Sequence, residues 1–251
     1  MTTPFTYEFG YSWWIAWGHL VPMALFAGLT LLASRRGWSR WLAIASGLLT
    51  VWAVAGLLIT HFLFRINLPQ PVPTTRFLAP GSGRVVDIGA GSGRATVGLL
   101  LARPGVTVTA IDIYDGYFGI DDNTPARLLR NAAIAGAAGR ADAKVGDARK
   151  LPLDSAAYDG VISIAAIDHL PRAGVPVALA EAARVLKPGG EFLLTIANAD
   201  ALAWFASPHA MAHHGRVDAN RWRTMLASAG FDVVEQGTQP GALYFLGRKP
   251  S

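Results

Sequence analysis

Two stretches of this 251-residue chain carry no formal charge: Phe9 to Ser34, broken only by His19, and Trp41 to Phe64, broken only by His61. Each exceeds the roughly 20 residues that a helix needs to cross a bilayer core of about 30 Å. With 52% hydrophobic residues, 16% charged residues and a mean hydropathy of +0.33, the chain is more apolar than ordinary soluble proteins. The excess sits in its first quarter. Residues 1–66 therefore read as a membrane hairpin, with helices over about 11–34 and 41–64. "MTTPFTYEFG" lacks the basic start of a secretory signal, and the apolar run after it is too long for one. Trp13, Trp14 and Trp17 at one end, with Trp38 and Trp41 at the other, stand where interfacial aromatic belts occur. Ala24 with Gly28, and Ala43 with Gly47, have the small-xxx-small spacing that lets helix backbones approach, which also offers a route to a homo-oligomer through the membrane helices.

"RINLPQPVPTTR" places Pro69, Pro71 and Pro73 in a short polar stretch, so residues 67–79 read as a stiff linker. Residues 80–251 then alternate Val/Ile-rich runs with Ala/Leu/Arg-rich runs. "RVVDI", "VTVTAIDI", "AKVGD", "YDGVISI" and "GEFLLTIA" predict strands, and "RATVGLLLA", "TPARLLRNAAIAG" and "VPVALAEAARVL" predict helices. That order predicts an α/β domain around a parallel sheet. Thr124 as N-cap, Pro125 at the first helical position and Gly136 at the end punctuate one helix. "FDVVEQGTQPGALYFLGRKP" predicts an antiparallel hairpin at one edge of the sheet. The absence of cysteine excludes disulfides, thiolate nucleophiles and cysteine-ligated metals. The net charge of +5 suits anionic lipid and nucleic acid equally, but no nucleic-acid-binding module is recognisable and no nucleic-acid partner is expected.

In "VVDIGAGSGRAT" a strand runs into a glycine-rich turn and then a helix. Gly89, Gly91 and Gly93 leave room for a ligand to lie against the backbone. A dinucleotide site is the first rival, but its G-x-G-x-x-G pattern needs a glycine where Arg94 stands. Asp87, two residues before the first glycine, would face a cationic ligand more comfortably than a pyrophosphate.

Taken together, these motifs resemble the class I S-adenosylmethionine-dependent methyltransferases over roughly residues 80–249. Asp87, Gly89, Ala90, Gly91 and Gly93 resemble the family's first motif. Asp112, followed by Ile113, matches the acidic residue that binds both ribose hydroxyls. Asp147 and Ala148 in "VGDARKLP" match the residues at the adenine, and "YDGVISI", with Ser163, and "ARVLKPGGEFLLTI" resemble the fourth and fifth strands. The resemblance implies a Rossmann-like, doubly wound seven-stranded sheet with an antiparallel C-terminal hairpin, S-adenosyl-L-methionine as cofactor and S-adenosyl-L-homocysteine as product. The wording of the motifs is most similar to the small-molecule methyltransferases, including those of quinone and lipid metabolism.

Methyl transfer from a sulfonium mainly requires alignment and exclusion of water. Asp168 and His169, after the fourth strand, are the candidates to take a proton from the acceptor. "SIAAIDHL" replaces the Asn-Pro-Pro-aromatic tetrad of DNA amino-methylating relatives, which disfavours exocyclic base methylation. Tyr114, Tyr117 and Phe118 mark a long aromatic loop that could cover the cofactor. His209 and His213 have the i, i+4 spacing of helical metal ligands, but no third ligand accompanies them, so no metal is expected and a lid is the expectation there. A membrane hairpin makes most sense with a lipophilic small-molecule acceptor and the lipid bilayer as partner. Small thiols, amines or metalloids as acceptors, and a non-catalytic cofactor-binding sensor, are the alternatives. Arg35, Arg36 and Arg40 between the runs balance Arg65, Arg76 and Arg84 after them, so the positive-inside rule does not choose a side. The cytosolic supply of the cofactor does: it places the catalytic domain at the cytoplasmic face of a bacterial-type inner membrane. The arginine loop then lies on the far face, or at the near interface if the hairpin is shallow.

Overall fold

The computed structural model describes residues 6–115, 119–208 and 218–251. Helix α1 spans Trp13–Trp17, α2 Leu20–Arg35 and α3 Arg40–Leu58, the last continued by a π-helical turn Ile59–Leu63. The gap between α1 and α2 follows from Pro22, which has no N–H to donate to the Gly18 carbonyl. The Val21 N–H takes that carbonyl instead at 3.2 Å, tightening the turn without ending the rod. The two rods, Trp13–Arg35 and Arg40–Leu63, pair as a hairpin with only 11% and 17% of their most apolar windows buried. Thr30 Oγ1 donates to Ser46 Oγ at 2.8 Å across the pair, and the His19 ring packs against Gly56, where a Cβ would collide with it. The open space beside Gly28 shows that its small-residue spacing faces outward and not toward α3.

The remainder is a seven-stranded sheet: β1 Ser82–Ile88, β2 Gly105–Asp112, β3 Ala141–Val145, β4 Tyr158–Ile164, β5 Leu186–Ala197, β6 Asp232–Gln239 and β7 Ala242–Arg248. The strand order is β3-β2-β1-β4-β5-β7-β6. The first five strands run parallel, while β7 is antiparallel to both β5 and β6. Helices α4 Arg94–Ala102, α5 Pro125–Ile134, α6 Gly174–Val185, α7 Ala201–Ala206 and α8 Ala219–Ser228 complete the described elements. Alternation along β1 sends Val86 and Ile88 into a core with Leu179 and Phe192, and Val85 into a second core with Leu99 and Leu100. The Thr124 cap forms as the sequence predicts, its hydroxyl accepting the Arg127 N–H. The order reverses between β1 and β4, the position where open α/β sheets bind ligands beyond the strand ends.

Both flanks of the hairpin pack onto this domain. In the stretch read as a linker, Phe77 is wholly buried in the second core, and Arg103 donates to the carbonyls of Thr74, Thr75 and Phe77. Arg94 donates to the carbonyls of Phe64, Arg65 and Leu68. On the other flank, Tyr7 and Phe9 bury against Val97, and Tyr11 bridges to Ile120. Asn131, fully buried, accepts the Glu8 N–H at 3.0 Å and donates to the Glu8 and Ser92 carbonyls at 3.0 and 2.9 Å. Replacing Asn131 by alanine removes three hydrogen bonds and strands the groups of residues 8 and 92, an expected loss of about 3 kcal/mol in urea unfolding. A variant within 0.5 kcal/mol of wild type, by the same about-1-kcal/mol-per-bond reasoning, would show that this clasp carries no net stability.

Candidate active site

The C-terminal ends of β1 and β2 meet at a cleft of about 790 Å³, including its open mouth. The glycine turn forms one wall. Gly89 (φ +74°) has no space for a side chain, since a Cβ there would overlap Ala166. At Gly91 (φ +52°) a Cβ would stand 2.9 Å from Ile120 Cδ1, on the opposite wall. Both positions combine left-handed backbone with close approach, which only glycine accommodates.

Asp112 closes the end of β2 and lines the cleft. Its Oδ2 accepts the Gly91 N–H at 2.8 Å; its Oδ1 accepts the Tyr114 N–H at 2.7 Å and the Asn123 amide at 3.3 Å. The carboxylate thus pins the glycine turn and the loop after β2 while one lone pair of Oδ2 stays unused. Asn123 Oδ1, buried without a partner, is a further acceptor in the cleft wall. Asp147 accepts a bidentate pair from Arg149, 2.6 Å at the shortest, and this guanidinium holds its carboxyl below the usual range. Ile111, Ile113, Ile120 and Leu170 supply apolar walls. A carboxylate beside a side-chain-free turn, a second carboxylate further along and flat apolar walls between them fit an adenosine-type ligand with vicinal hydroxyls.

Gly89, Gly91, Asp112, Ile113, Asp147, Ala148 and His169 all line the cleft. Asp87, Ala90, Gly93, Ser163 and Asp168 are not among its lining residues. Gly93 heads α4 in the left-handed region, and Ala90 packs with Ala110 and Leu128. Asp87 is fully buried with Oδ2 accepting from Thr96 Oγ1 at 2.6 Å and Oδ1 unpartnered; burial pushes its carboxyl up to about 7. The Ser163 hydroxyl donates to the Ile88 carbonyl at 3.0 Å and so ties β4 to β1. Asp168 and His169 part company in the 3-10 turn Ile167–His169. His169 faces the cleft, whereas Asp168 Oδ2 accepts the Ala197 N–H at 2.8 Å and secures the end of β5. Tyr114, also at φ +56°, buries its hydroxyl without a partner, and burial first, then nearby carboxylates, raise its pKa. Tyr117, Phe118, His209, His213 and His214 lie outside the described residues. Ile120 and Asn123 lie in the long loop after β2 that the sequence singled out as a cover or pocket lining, and both line the cleft. Arg149, two residues after Asp147, is a lining residue that the sequence did not single out.

Sheet order and cleft together define a Rossmann-like, doubly wound domain with a ligand cleft at its switch point. Residues 86–194 match the family model described as "Methyltransferase domain". Among curated proteins, the ubiquinone/menaquinone biosynthesis C-methyltransferase UbiE of Methylobacterium nodulans is 36% identical over 111 residues, 44% of this chain and 40% of that protein. A malonyl-acyl-carrier-protein O-methyltransferase of Geobacter sulfurreducens is 29% identical over 164 residues, 61% of this chain and 57% of that one. The chain thus spans about two fifths to three fifths of these relatives' lengths. Among solved structures, a Burkholderia thailandensis 1,6-didemethyltoxoflavin-N1-methyltransferase with bound S-adenosylhomocysteine shares the fold at a TM-score of 0.51 and 21% identity, covering 68% of this chain and 72% of that one.

Proposed function

We propose that this protein is a membrane-anchored S-adenosylmethionine-dependent methyltransferase whose acceptor is a lipophilic small molecule. The observation that carries the proposal is the junction of cleft and hairpin. Ile120 forms a cleft wall; beside it, Gly119 packs on Ile15 of α1 and its carbonyl accepts the Ser12 N–H at 2.8 Å. The hairpin supports a bilayer location because Leu25, Leu48, Val51 and Phe62 are each at least 65% exposed, where a core helix of a soluble protein would bury them. The relative of quinone biosynthesis supports a lipophilic acceptor.

The cofactor would supply a methyl group already activated on a sulfonium. Asp112 would hold the ribose diol, Asp147 and the Ala148 backbone the adenine edge, and the glycine turn the remainder. His169 is the side chain placed to receive a proton from an acidic acceptor. Asp168, turned to β5, acts as its structural neighbour. The catalytic domain faces the cytoplasm, with Arg35, Arg36 and Arg40 across the membrane.

Sealed membranes of known sidedness, given methyl-labelled S-adenosylmethionine, test this reading. Label is expected in the solvent-extractable fraction of everted vesicles and not in right-side-out ones. Transfer only to water-soluble acceptors would refute the lipophilic acceptor. Transfer in right-side-out vesicles would reverse the orientation.

A further inference from the structure

We propose that helix α7, outside the hairpin, is a second membrane contact that seats in the same leaflet through Trp204 and Phe205. This rests on the bilayer reading of the hairpin and adds a lipid-facing surface on the catalytic domain itself.

α7 is two-sided. Ala203 and Ala206 are buried, while Trp204 and Phe205 are 44% and 45% exposed. Large aromatic side chains on one side of a surface helix are costly in water and suited to the headgroup boundary. The helix is held firmly at its start: Asp200 caps it through the Ala203 N–H at 2.8 Å and accepts the Gly241 N–H at 3.0 Å. Its far end is tied to the hairpin, where Trp52 Nε1 donates to the Phe205 carbonyl at 2.8 Å.

That bond sets the depth. At 1.5 Å per residue, Trp52 lies about 18 Å along the rod from Arg40, and Leu63 about 35 Å from it. If the arginine loop reaches the far interface, Trp52 is inside the roughly 30 Å apolar core, and the Phe205 carbonyl is beside it. If the hairpin enters only as far as Trp52, α7 still lies against the headgroups. Burying Arg35, Arg36 and Arg40 makes that shallow arrangement the costlier one. In both geometries α7 meets lipid. Because α7 follows β5, whose end Asp168 secures beside His169, the contact also brings the methyl-accepting side of the cleft toward the leaflet from which a lipophilic acceptor would enter.

The chain contains no cysteine, so single introduced cysteines report one position each. Full-length Trp204→Cys and Phe205→Cys, with Leu48→Cys on the hairpin and Lys144→Cys on the opposite sheet edge, are labelled with an environment-sensitive dye and reconstituted into vesicles of phosphatidylethanolamine and phosphatidylglycerol containing spin-labelled lipid. Wild-type-like circular dichroism melting is the criterion for scoring each variant, and two α7 positions are used so that one misfolded variant does not end the test. The expected result is loss of most emission at 48 and at 204 or 205, with none lost at 144. Quenching at 48 without quenching at either α7 position overturns the α7 contact and leaves the hairpin reading standing. No quenching at 48 overturns the hairpin reading itself.

Discussion

Asp112→Asn weakens binding of S-adenosylhomocysteine roughly 100-fold by calorimetry, the equivalent of about 3 kcal/mol. In the free protein both oxygens of this carboxylate are held by N–H donors, from Gly91 on one side and Tyr114 and Asn123 on the other. An amide of the same shape presents an NH2 group to one of those donors and lacks the charge that makes the carboxylate a strong acceptor for the ribose diol. The loss therefore combines weaker sugar contacts with a loosened glycine turn. Asp112→Glu, which keeps the charge at a shifted position, is expected to recover part of the affinity. A Kd for Asp112→Asn within threefold of wild type would mean that the ligand does not use this carboxylate.

Asp87 is expected to dominate the pH dependence of stability between pH 5 and pH 7, where the carboxyls with lowered pKa stay ionised. Its folded-state pKa, raised to about 7 mainly by burial, lies above the ordinary carboxyl value near 3.9. Between those values the folded chain keeps a proton that the unfolded chain has released, so stability falls as pH rises from about 4 to about 7 and levels off beyond. The change amounts to about 2 kcal/mol between pH 5 and pH 7. Asp87→Asn has no such proton: its unfolding free energy should be flat over that interval, and its stability relative to wild type should improve by the same amount. Urea titrations at pH 5, 6, 7 and 8 measure this. Parallel curves for the two proteins would show that Asp87 titrates as an ordinary carboxylate. The wild-type chain retains a buried acid with an unpartnered oxygen at the base of the glycine turn, a cost in stability that a functional site can carry.

Much of the domain was legible because its signals are local. Every predicted strand appears, and Thr124 caps its helix as its position before Pro125 implies. The apolar rods appear where charge is absent, although Pro22 divides the first. Asp112 and Asp147 reach the cleft because each ends or follows a strand whose carboxyl end faces it. Ser163 and Asp168 bond away from the cleft lining, each for its own local reason. Ser163 stands two residues before Ala165, which lines the cleft, but its hydroxyl is taken up by the Ile88 carbonyl. Asp168 and His169 are consecutive, yet the 3-10 turn sends one to β5 and the other to the cleft.

The sequence by itself determined the periodic parts of this protein: two uncharged rods, an alternating α/β domain, and a glycine turn with carboxylates at strand ends. Those follow from hydrophobic spacing and backbone chemistry, which neighbouring residues settle among themselves. Tertiary structure alone decided that residues 6–12 and the proline-rich stretch clasp the domain, that Asn123 joins Asp112, and that Trp52 reaches Phe205. Their partners lie as far as 169 positions away in the chain, and such pairings depend on how the finished elements pack, which no local pattern encodes.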